Sequence, residues 1–143
     1  MATRSTIALE FADGTVEQIY CHWDGYLENN GQILLKHYSD PFKLQRLIDL
    51  GAVSSLRPEI GEKQDFDNRE TQNEDWTLAY ARDRGEDLVK NTFKDYADYR
   101  KNAQSEEYNY ILRTDGNWYV EFYGEFDGLL TEAIERENAE EAA

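Results

Sequence analysis

Alternating hydrophobic and polar residues predict a β-hairpin at the start of the chain. The stretches 5–11 and 15–23 both alternate, and Asp13-Gly14 between them favours the positive φ angles of a tight turn. Because side chains alternate across a strand, Cys21 shares a face with Ile19, and His22 points to the other face. Cys21 is therefore expected to be a small core residue.

The same pattern predicts a second hairpin near the other end of the chain. Its strands are residues 108–113 and 118–123, joined by Thr114-Asp115-Gly116-Asn117. Residues 76–80 predict a middle strand, and the charged residues 82–87 after it predict a turn.

Hydrophobic residues at helical spacing predict helices between and after the strands. The clearest helix begins at Pro41, has Asp40 as its N-cap and ends at Leu50. The other predicted helices are residues 31–38, 88–101 and 129–137. Within the second of these, Val89 and Phe93 would share the buried face.

These elements predict one α+β domain that spans residues 1–143. Two hairpins and a middle strand would form an antiparallel sheet, with the helices packed on one of its faces. The polar residues 59–75 carry seven acidic side chains and predict a long surface loop. The acidic residues 138–143 are expected to fray after the last helix.

Charge limits the partners that such a chain could bind. The chain has 30 Asp and Glu against 15 Lys and Arg, a formal net charge of −15. It should repel nucleic acid and anionic membranes, so a charged partner would be a basic protein surface, a cation or a metal ion. Aromatic residues make up 13% of the chain, which indicates a folded domain. A single cysteine and the lack of a long apolar run indicate a cytoplasmic protein without an internal disulfide.

The acidic residues concentrate in two runs that could bind a basic protein surface, as a DNA mimic does. Carboxylates spread over a surface would imitate the regularly spaced phosphates of DNA. The alternative is a solvated face that keeps a small protein in solution. The first run comprises Glu59, Glu62, Asp65, Asp67, Glu70, Glu74 and Asp75. The second run comprises Glu121, Glu125, Asp127, Glu132, Glu135 and Glu137, followed by Glu140 and Glu141.

Two loops beside predicted strands define an alternative site for a small anionic ligand, such as a nucleotide. If both loops open at one edge of the sheet, aromatic rings from 22–26 could stack on the ligand while arginines from 82–87 bind its phosphate or carboxylate. The residues of this alternative site are His22, Trp23, Asp24, Tyr26, Arg82 and Arg84. Against this interpretation, the mixed charges of 82–87 could form a salt-bridge cluster that only fixes the turn.

Catalytic and metal-binding signatures are weak, so we expect a non-enzymatic protein without a cofactor. The segment Asp65–Glu70 alternates like calcium ligands but lacks the central Gly and terminal Glu of a calcium loop. His22 and His37 have no nearby Cys or zinc-type His spacing. Cys21 and His22 should point to opposite faces of a strand, which argues against a thiolate–imidazole pair.

Two segments resemble a set of small acidic proteins encoded by tailed phages and prophages. They are Ile19–Tyr26 and Tyr80–Asp87, and Gly31, the Leu-rich segment after it and Leu50-Gly51 add to the resemblance, which spans most of residues 4–123. That group carries no established biochemical activity. Phage origin implies early-expressed host-takeover or anti-defence proteins, several families of which are compact, acidic and non-catalytic. We therefore expect an inhibitor that binds a basic host protein in the cytoplasm of an infected bacterium.

Overall fold

The computed structural model describes residues 2–142, which form an α+β fold with five α-helices and an eight-stranded mixed sheet. The strands are β1 Ser5–Glu10, β2 Val16–Trp23, β3 Val53–Ser55, β4 Leu78–Ala79, β5 Asn91–Phe93, β6 Tyr108–Leu112, β7 Trp118–Phe122 and β8 Phe126–Leu129. The α-helices are α1 Gln32–His37, α2 Pro41–Ile48, α3 Tyr80–Arg84, α4 Tyr96–Asn102 and α5 Leu130–Ala142. A π-helical turn, Leu27–Gly31, precedes α1, and a 3₁₀ turn, Arg69–Thr71, lies between β3 and β4. None of the helices within these residues has the length and hydrophobicity that a membrane span requires.

The sheet is open, with the strand order β4-β3-β2-β1-β6-β7-β8. β5 pairs with the first half of β2, on the edge that β3 occupies further along. β1 is parallel to β6 and β2 is parallel to β3, whereas the other pairs are antiparallel. The prediction of a fully antiparallel sheet is therefore wrong. Parallel neighbours need a crossover connection, and α4 lies on the path by which the chain reaches β6 beside β1.

Both predicted hairpins are confirmed. β1 and β2 pair with Ile7 opposite Ile19, around a turn in which Gly14 has a φ of +92°. β6 and β7 pair with Leu112 opposite Trp118. β8 adds a third strand to the second hairpin, and its four residues are too few to produce a recognisable alternation.

The predicted helix at Pro41 is also confirmed, and the Asp40 side chain accepts a hydrogen bond from the Phe42 backbone N–H at 2.9 Å. Within the predicted helix 31–38, residues 32–37 form α1. The last helix is longer than predicted, because α5 continues to Ala142 instead of ending near residue 137. Residues 138–142, where fraying was expected, belong to this helix, and Ala143 lies outside the described residues.

The prediction of one helix over residues 88–101 is wrong. Asn91–Phe93 form strand β5, and the helix α4 begins only at Tyr96. Val89, which the prediction placed on a buried face, is 57% exposed. β5 exists because it pairs with β2, with Phe93 opposite Val16, and the spacing within one segment carries no information about such a partner.

The predicted strand at 76–80 is shorter than expected, and the turn after it begins as a helix. β4 contains only Leu78 and Ala79, and α3 takes up the first half of the predicted turn. Gly85, with a φ of +76°, ends α3 in the left-handed conformation that glycine tolerates. Residues 59–75 contain no regular element except the 3₁₀ turn and a bridge between Glu59 and Trp76.

Hydrophobic residues pack on both faces of the sheet, so the prediction of helices on one face is wrong. The larger core includes Ile7 and Tyr110 and is covered by residues of α1, α2 and α5. The smaller core includes Ala8 and Tyr99 and is covered by α4 on the other face. Alternation causes this division, because Ile7 and Ala8 are neighbours on β1 and both are fully buried.

Candidate functional site

Part of the second acidic run lies on the edge of the sheet formed by β7 and β8. Glu121 on β7 lies opposite Asp127 on β8, and Glu125 occupies the turn between the strands. Like charges directly opposite each other destabilise a sheet. Arg100 of α4 forms an ion pair with Asp127, and Asn109 donates a hydrogen bond to Glu121 at 3.1 Å. These two contacts reduce the repulsion between the paired strands.

Carboxylates from distant parts of the chain join this edge, and the sequence pattern did not reveal them. Glu28 comes from the π-helical turn, and Glu106 and Glu107 precede β6. Burial raises the pKa of the Tyr108 phenol, and four nearby carboxylates raise it further. Those four belong to Glu28, Glu107, Glu125 and Glu137. Four separate segments therefore place negative charge around one tyrosine.

We refer to this region as the carboxylate surface. Its members are Glu28, Glu106, Glu107, Glu121, Glu125, Glu137, Glu140 and Glu141. Arg136 lies among them, where it pairs with Glu140 at 3.4 Å and donates to the Glu125 carbonyl oxygen at 3.4 Å. Glu132 and Glu135 project from another side of α5, because residues two and five positions from Glu137 lie more than about 120° away around a helix.

Three members of the carboxylate surface form a tight cluster. One carboxylate oxygen from each of Glu28, Glu137 and Glu141 lies within 4.8 Å of the other two. Burial and the neighbouring Glu28 raise the pKa of Glu137 to about 7, whereas hydrogen bonds from Glu141 and Glu137 lower the pKa of Glu28. The cluster therefore shares a proton near neutral pH. Its oxygens are also of the kind that hold a hard cation.

Tyr123 stands at the tip of the β7–β8 hairpin, within the carboxylate surface. Its φ of +55° is left-handed, and Gly124 follows with a φ of +69°. The Glu125 backbone N–H donates to the Phe122 carbonyl oxygen at 2.9 Å and closes a two-residue turn, a position that favours Asn-Gly. The Tyr123 ring is 57% exposed, and its hydroxyl donates to Glu107 at 3.0 Å. Desolvation and this hydrogen bond raise the pKa of Tyr123 to about 12.

The first acidic run lies at the opposite edge of the sheet, on residues 59–75, which we call the acidic loop. The Glu59 backbone N–H donates to the Asp75 carbonyl oxygen at 2.9 Å, so the acidic loop starts and ends beside β4. Six strand spacings separate β4 from β8, roughly 29 Å at about 4.8 Å each. All seven carboxylates of the acidic loop are exposed, and Glu59 pairs with Lys43 at 3.1 Å. The two acidic runs therefore do not form one surface.

Arg82, predicted to bind a ligand, instead helps to build the β4 edge. The buried Asp83 carboxylate accepts hydrogen bonds from the backbone N–H groups of Gln64 at 3.0 Å and Ala79 at 2.7 Å. Arg82 donates to this carboxylate at 2.9 Å and to the Thr77 carbonyl oxygen at 2.6 Å. This Arg82–Asp83 clamp joins the acidic loop to β4 and α3. It agrees with the alternative interpretation of residues 82–87, in which their charges form salt bridges that fix the turn.

Arg84 and Tyr26, the outer members of the predicted ligand site, have different surroundings. The Arg84 guanidinium stacks 4.4 Å from the centre of the Phe66 ring and 5.1 Å from that of Tyr80, and it pairs with Glu86. Tyr26 precedes the π-helical turn and is 39% exposed. Arg84 is therefore engaged by Phe66, Tyr80 and Glu86, and no residue of 82–87 lines the cleft that contains Trp23 and Asp24.

Trp23 and Asp24, however, line a cleft of about 640 Å³, which we call the loop cleft. It lies between the ends of β2 and β3 and the acidic loop. Its other lining residues are Ser54, Ser55, Arg57, Phe66, Asp67, Arg69, Gln72 and Leu78. Sequence reasoning missed Arg57 because it follows β3, a strand of three residues that was not predicted. His22 lies outside the loop cleft, with its Nδ1 hydrogen-bonded to the Tyr20 hydroxyl at 2.7 Å.

Cys21 has the environment of a core residue and not that of a nucleophile. Its thiol donates to the Trp23 carbonyl oxygen at 3.1 Å and lies 3.4 Å from the Asn30 side-chain nitrogen. Burial raises the pKa of Cys21 to about 11, so the thiolate hardly forms at neutral pH.

The residues considered as calcium or zinc ligands are not gathered in space. The exposed Asp65 carboxylate accepts a hydrogen bond from the Asp67 backbone N–H at 3.0 Å. His22 lies on β2, whereas His37 ends α1. Within residues 2–142, only the Glu28, Glu137 and Glu141 cluster brings three potential ligand atoms within 4.8 Å of one another.

Comparison of the chain with protein-family models, curated proteins and solved structures returned no match.

Proposed function

We propose that this protein is a non-enzymatic binding protein whose carboxylate surface engages a basic surface of another protein. The observation that carries the proposal is that eight carboxylates from separate parts of the chain line one edge of the sheet, three of them beside Arg136 and three in a tight cluster. A face that serves only solubility ordinarily mixes both signs of charge. Here burial and repulsion raise the pKa of Glu137 to about 7, and a basic partner would relieve that repulsion.

A protein groove that normally binds nucleic acid has the complementary chemistry. Its Arg and Lys side chains would contact carboxylates in place of phosphates, as in inhibition by a DNA mimic. Attraction between two highly charged surfaces also accelerates their encounter. Because salt screens such attraction, the affinity should fall steeply as the ionic strength rises.

Tyr123 supplies an aromatic contact within this surface, at the tip of the β7–β8 hairpin. An exposed tyrosine ring can accept an arginine guanidinium by a cation–π interaction, while the adjacent Glu107 and Glu125 pair with its charge. A left-handed φ at a residue other than glycine costs folding free energy, and such strain concentrates at functional sites. Tyr123 is therefore our candidate for the central contact residue.

The partner in this proposal is a host protein with a basic groove, such as a defence nuclease, restriction enzyme or polymerase. The resemblance of Ile19–Tyr26 and Tyr80–Asp87 to proteins of tailed phages supports a host-takeover or anti-defence role. The protein would then act in the cytoplasm of an infected bacterium. The buried Cys21 thiol, which points away from His22, supports a role in binding rather than in catalysis.

Capture from a bacterial lysate, followed by salt titration of the purified pair, tests the proposal. The E125Q/E137Q/E140Q variant replaces three carboxyl groups of the carboxylate surface. The matched control, E62Q/E70Q/E74Q, removes three charges from the acidic loop at the other edge. We expect the first variant to bind the partner at least roughly tenfold more weakly than wild type, and the control to bind nearly as wild type does.

Three outcomes would contradict the proposal. The captured partner could lack a basic groove, or its affinity could be the same at low and high salt. Equal losses of affinity in the two triple variants would show that net charge, and not the carboxylate surface, governs binding.

A further inference from the structure

The loop cleft has the size and position of a small-ligand site, at the opposite edge of the sheet from the carboxylate surface. Its volume of about 640 Å³ lies within the usual range for ligand pockets, roughly 300–1,000 Å³. Because β2 and β3 run parallel, their last residues, Trp23 and Ser55, lie side by side where the two strands end. The acidic loop forms the facing wall and is anchored by the Arg82–Asp83 clamp.

Two arginines bring positive charge into the loop cleft. One nitrogen of the Arg57 guanidinium donates to the carbonyl oxygens of Asn73 at 3.1 Å and Trp76 at 3.3 Å, which leaves its other N–H groups for a further acceptor. Arg69 begins the 3₁₀ turn and is exposed. Among residues 2–142, neither guanidinium forms an ion pair, although the acidic loop carries seven carboxylates. An anionic group could bind between the two arginines.

An aromatic ring and free polar groups complete the lining. Trp23 is 40% exposed, and an edge contact with the His22 ring, 4.9 Å between centroids, restrains its orientation. A restrained and exposed indole is a stacking surface for a planar ring. Ser54 is only 6% exposed, yet its hydroxyl makes no hydrogen bond within the described residues, nor does the Asp24 carboxylate. These groups can bind sugar hydroxyls or a base amino group.

We propose that the loop cleft binds a mononucleotide, with the base stacked on Trp23 and the phosphate between Arg57 and Arg69. The stacking surface, the two guanidinium groups and the free polar groups match the base, the phosphate and the sugar of such a ligand. Asp24 and Asp67 balance the two arginine charges in the lining. This balance favours a monophosphate over a more highly charged di- or triphosphate.

Titration calorimetry of the full chain with AMP, GMP, CMP and UMP tests the proposal. We expect at least one of the four to bind, and ribose 5-phosphate, which lacks a base, to bind at least roughly fivefold more weakly. R69Q should weaken nucleotide binding roughly tenfold because it removes a charged donor to the phosphate. R46Q, the matched control on α2, removes the same charge outside the loop cleft and should bind as wild type does.

Trp23→Leu separates the stacking contact from the phosphate contact. It should weaken nucleotide binding but leave binding of ribose 5-phosphate unchanged. Near-ultraviolet circular dichroism checks that each variant is folded, and the exposure of Arg69 favours folding of R69Q. The proposal would be overturned if none of the four nucleotides bound at millimolar concentration. Equal affinities of R69Q and wild type, or of inorganic phosphate and the nucleotides, would also overturn it.

Discussion

The two edges of the sheet carry similar numbers of acidic residues but differ in what surrounds them. At the β4 edge, seven exposed carboxylates lie on the acidic loop, whose inner side is anchored by the Arg82–Asp83 clamp. At the β8 edge lie the eight carboxylates of the carboxylate surface, three of them beside Arg136, and the pKa of Glu137 rises to about 7. The number of acidic residues in a segment therefore does not define an acidic surface, because the fold decides which of them meet.

The two edges also differ in whether their charges stabilise the fold or remain available for binding. The β4 edge uses its buried charges internally, as hydrogen-bond partners that join the acidic loop to β4 and α3. At the β8 edge, the carboxylates of the carboxylate surface face solvent and repel one another. Removing the buried charges of the β4 edge should therefore lower stability, whereas removing carboxylates of the carboxylate surface should leave stability nearly unchanged or raise it.

The largest effect is expected for Asp83→Ala at the β4 edge. This change leaves Arg82 without its partner and two buried backbone N–H groups without an acceptor. We expect a loss of about 3–5 kcal/mol in the free energy of unfolding, measured by urea denaturation. Glu86→Ala, which breaks only the exposed pair with Arg84, is the control and should cost at most about 0.5 kcal/mol. Similar losses in both variants would mean that the clamp is not the anchor of this edge.

A matched pair of glycines gives the next largest contrast. Gly61 in the acidic loop and Gly124 in the β7–β8 turn have the same φ of +69°. A Cβ atom at Gly61 would lie 2.2 Å from the Trp76 ring, whereas one at Gly124 would meet nothing within 4 Å. We expect Gly61→Ala to cost about 3 kcal/mol and Gly124→Ala about 1 kcal/mol of unfolding free energy. Equal costs would show that the acidic loop can move away from Trp76.

Local sequence signals predicted those parts of the fold that form within one segment. The Asp-Gly turns and the Asp40-Pro41 helix start were predictable because their geometry depends on neighbouring residues. The short strands β3, β5 and β8, and the parallel pairing of β1 with β6, were not predictable. They depend on partners distant in the sequence, and three or four residues are too few to show a period.

The same limit applies to the candidate sites. Glu121, Glu125 and Glu137 were predicted because they form a run in the sequence. Glu28 and Glu107 were not predicted, since only the packing of distant segments brings them to the β8 edge. Arg82 was predicted to bind a ligand because its buried contacts with Asp83 and the acidic loop can be seen only in the folded structure.

Glu137→Gln tests whether repulsion really accumulates at the β8 edge. The pKa of Glu137 is about 7 in the folded protein against an ordinary value of 4.5, so the unfolded chain releases this proton first. The wild type should therefore lose stability as the pH rises from about 4.5 to about 7, and the variant should escape this loss. We expect the variant to be more stable by about 1 kcal/mol at pH 8, allowing for solvent screening, and equally stable at pH 4.

Urea denaturation at both pH values provides the measurement for Glu137→Gln. Glu135→Gln, which replaces a carboxylate on another side of α5, is the matched control, and at pH 8 it should raise stability less than Glu137→Gln does. If the Glu137→Gln variant had the same free energy of unfolding as the wild type at pH 8, the carboxylates would be too far apart to repel one another.

The smallest effect on stability is expected for Tyr123→Asn, at the tip of the β8 edge. Asparagine tolerates the left-handed φ better than tyrosine, but the variant loses the edge contact with the Tyr108 ring, 5.5 Å between centroids. Because these effects oppose each other, the free energy of unfolding should stay within about 0.5 kcal/mol of the wild-type value. Affinity for the basic partner should fall several-fold, whereas Tyr123→Phe, which keeps the ring, should retain it. If Tyr123→Asn bound the partner as the wild type does, the carboxylates alone would account for recognition at this edge.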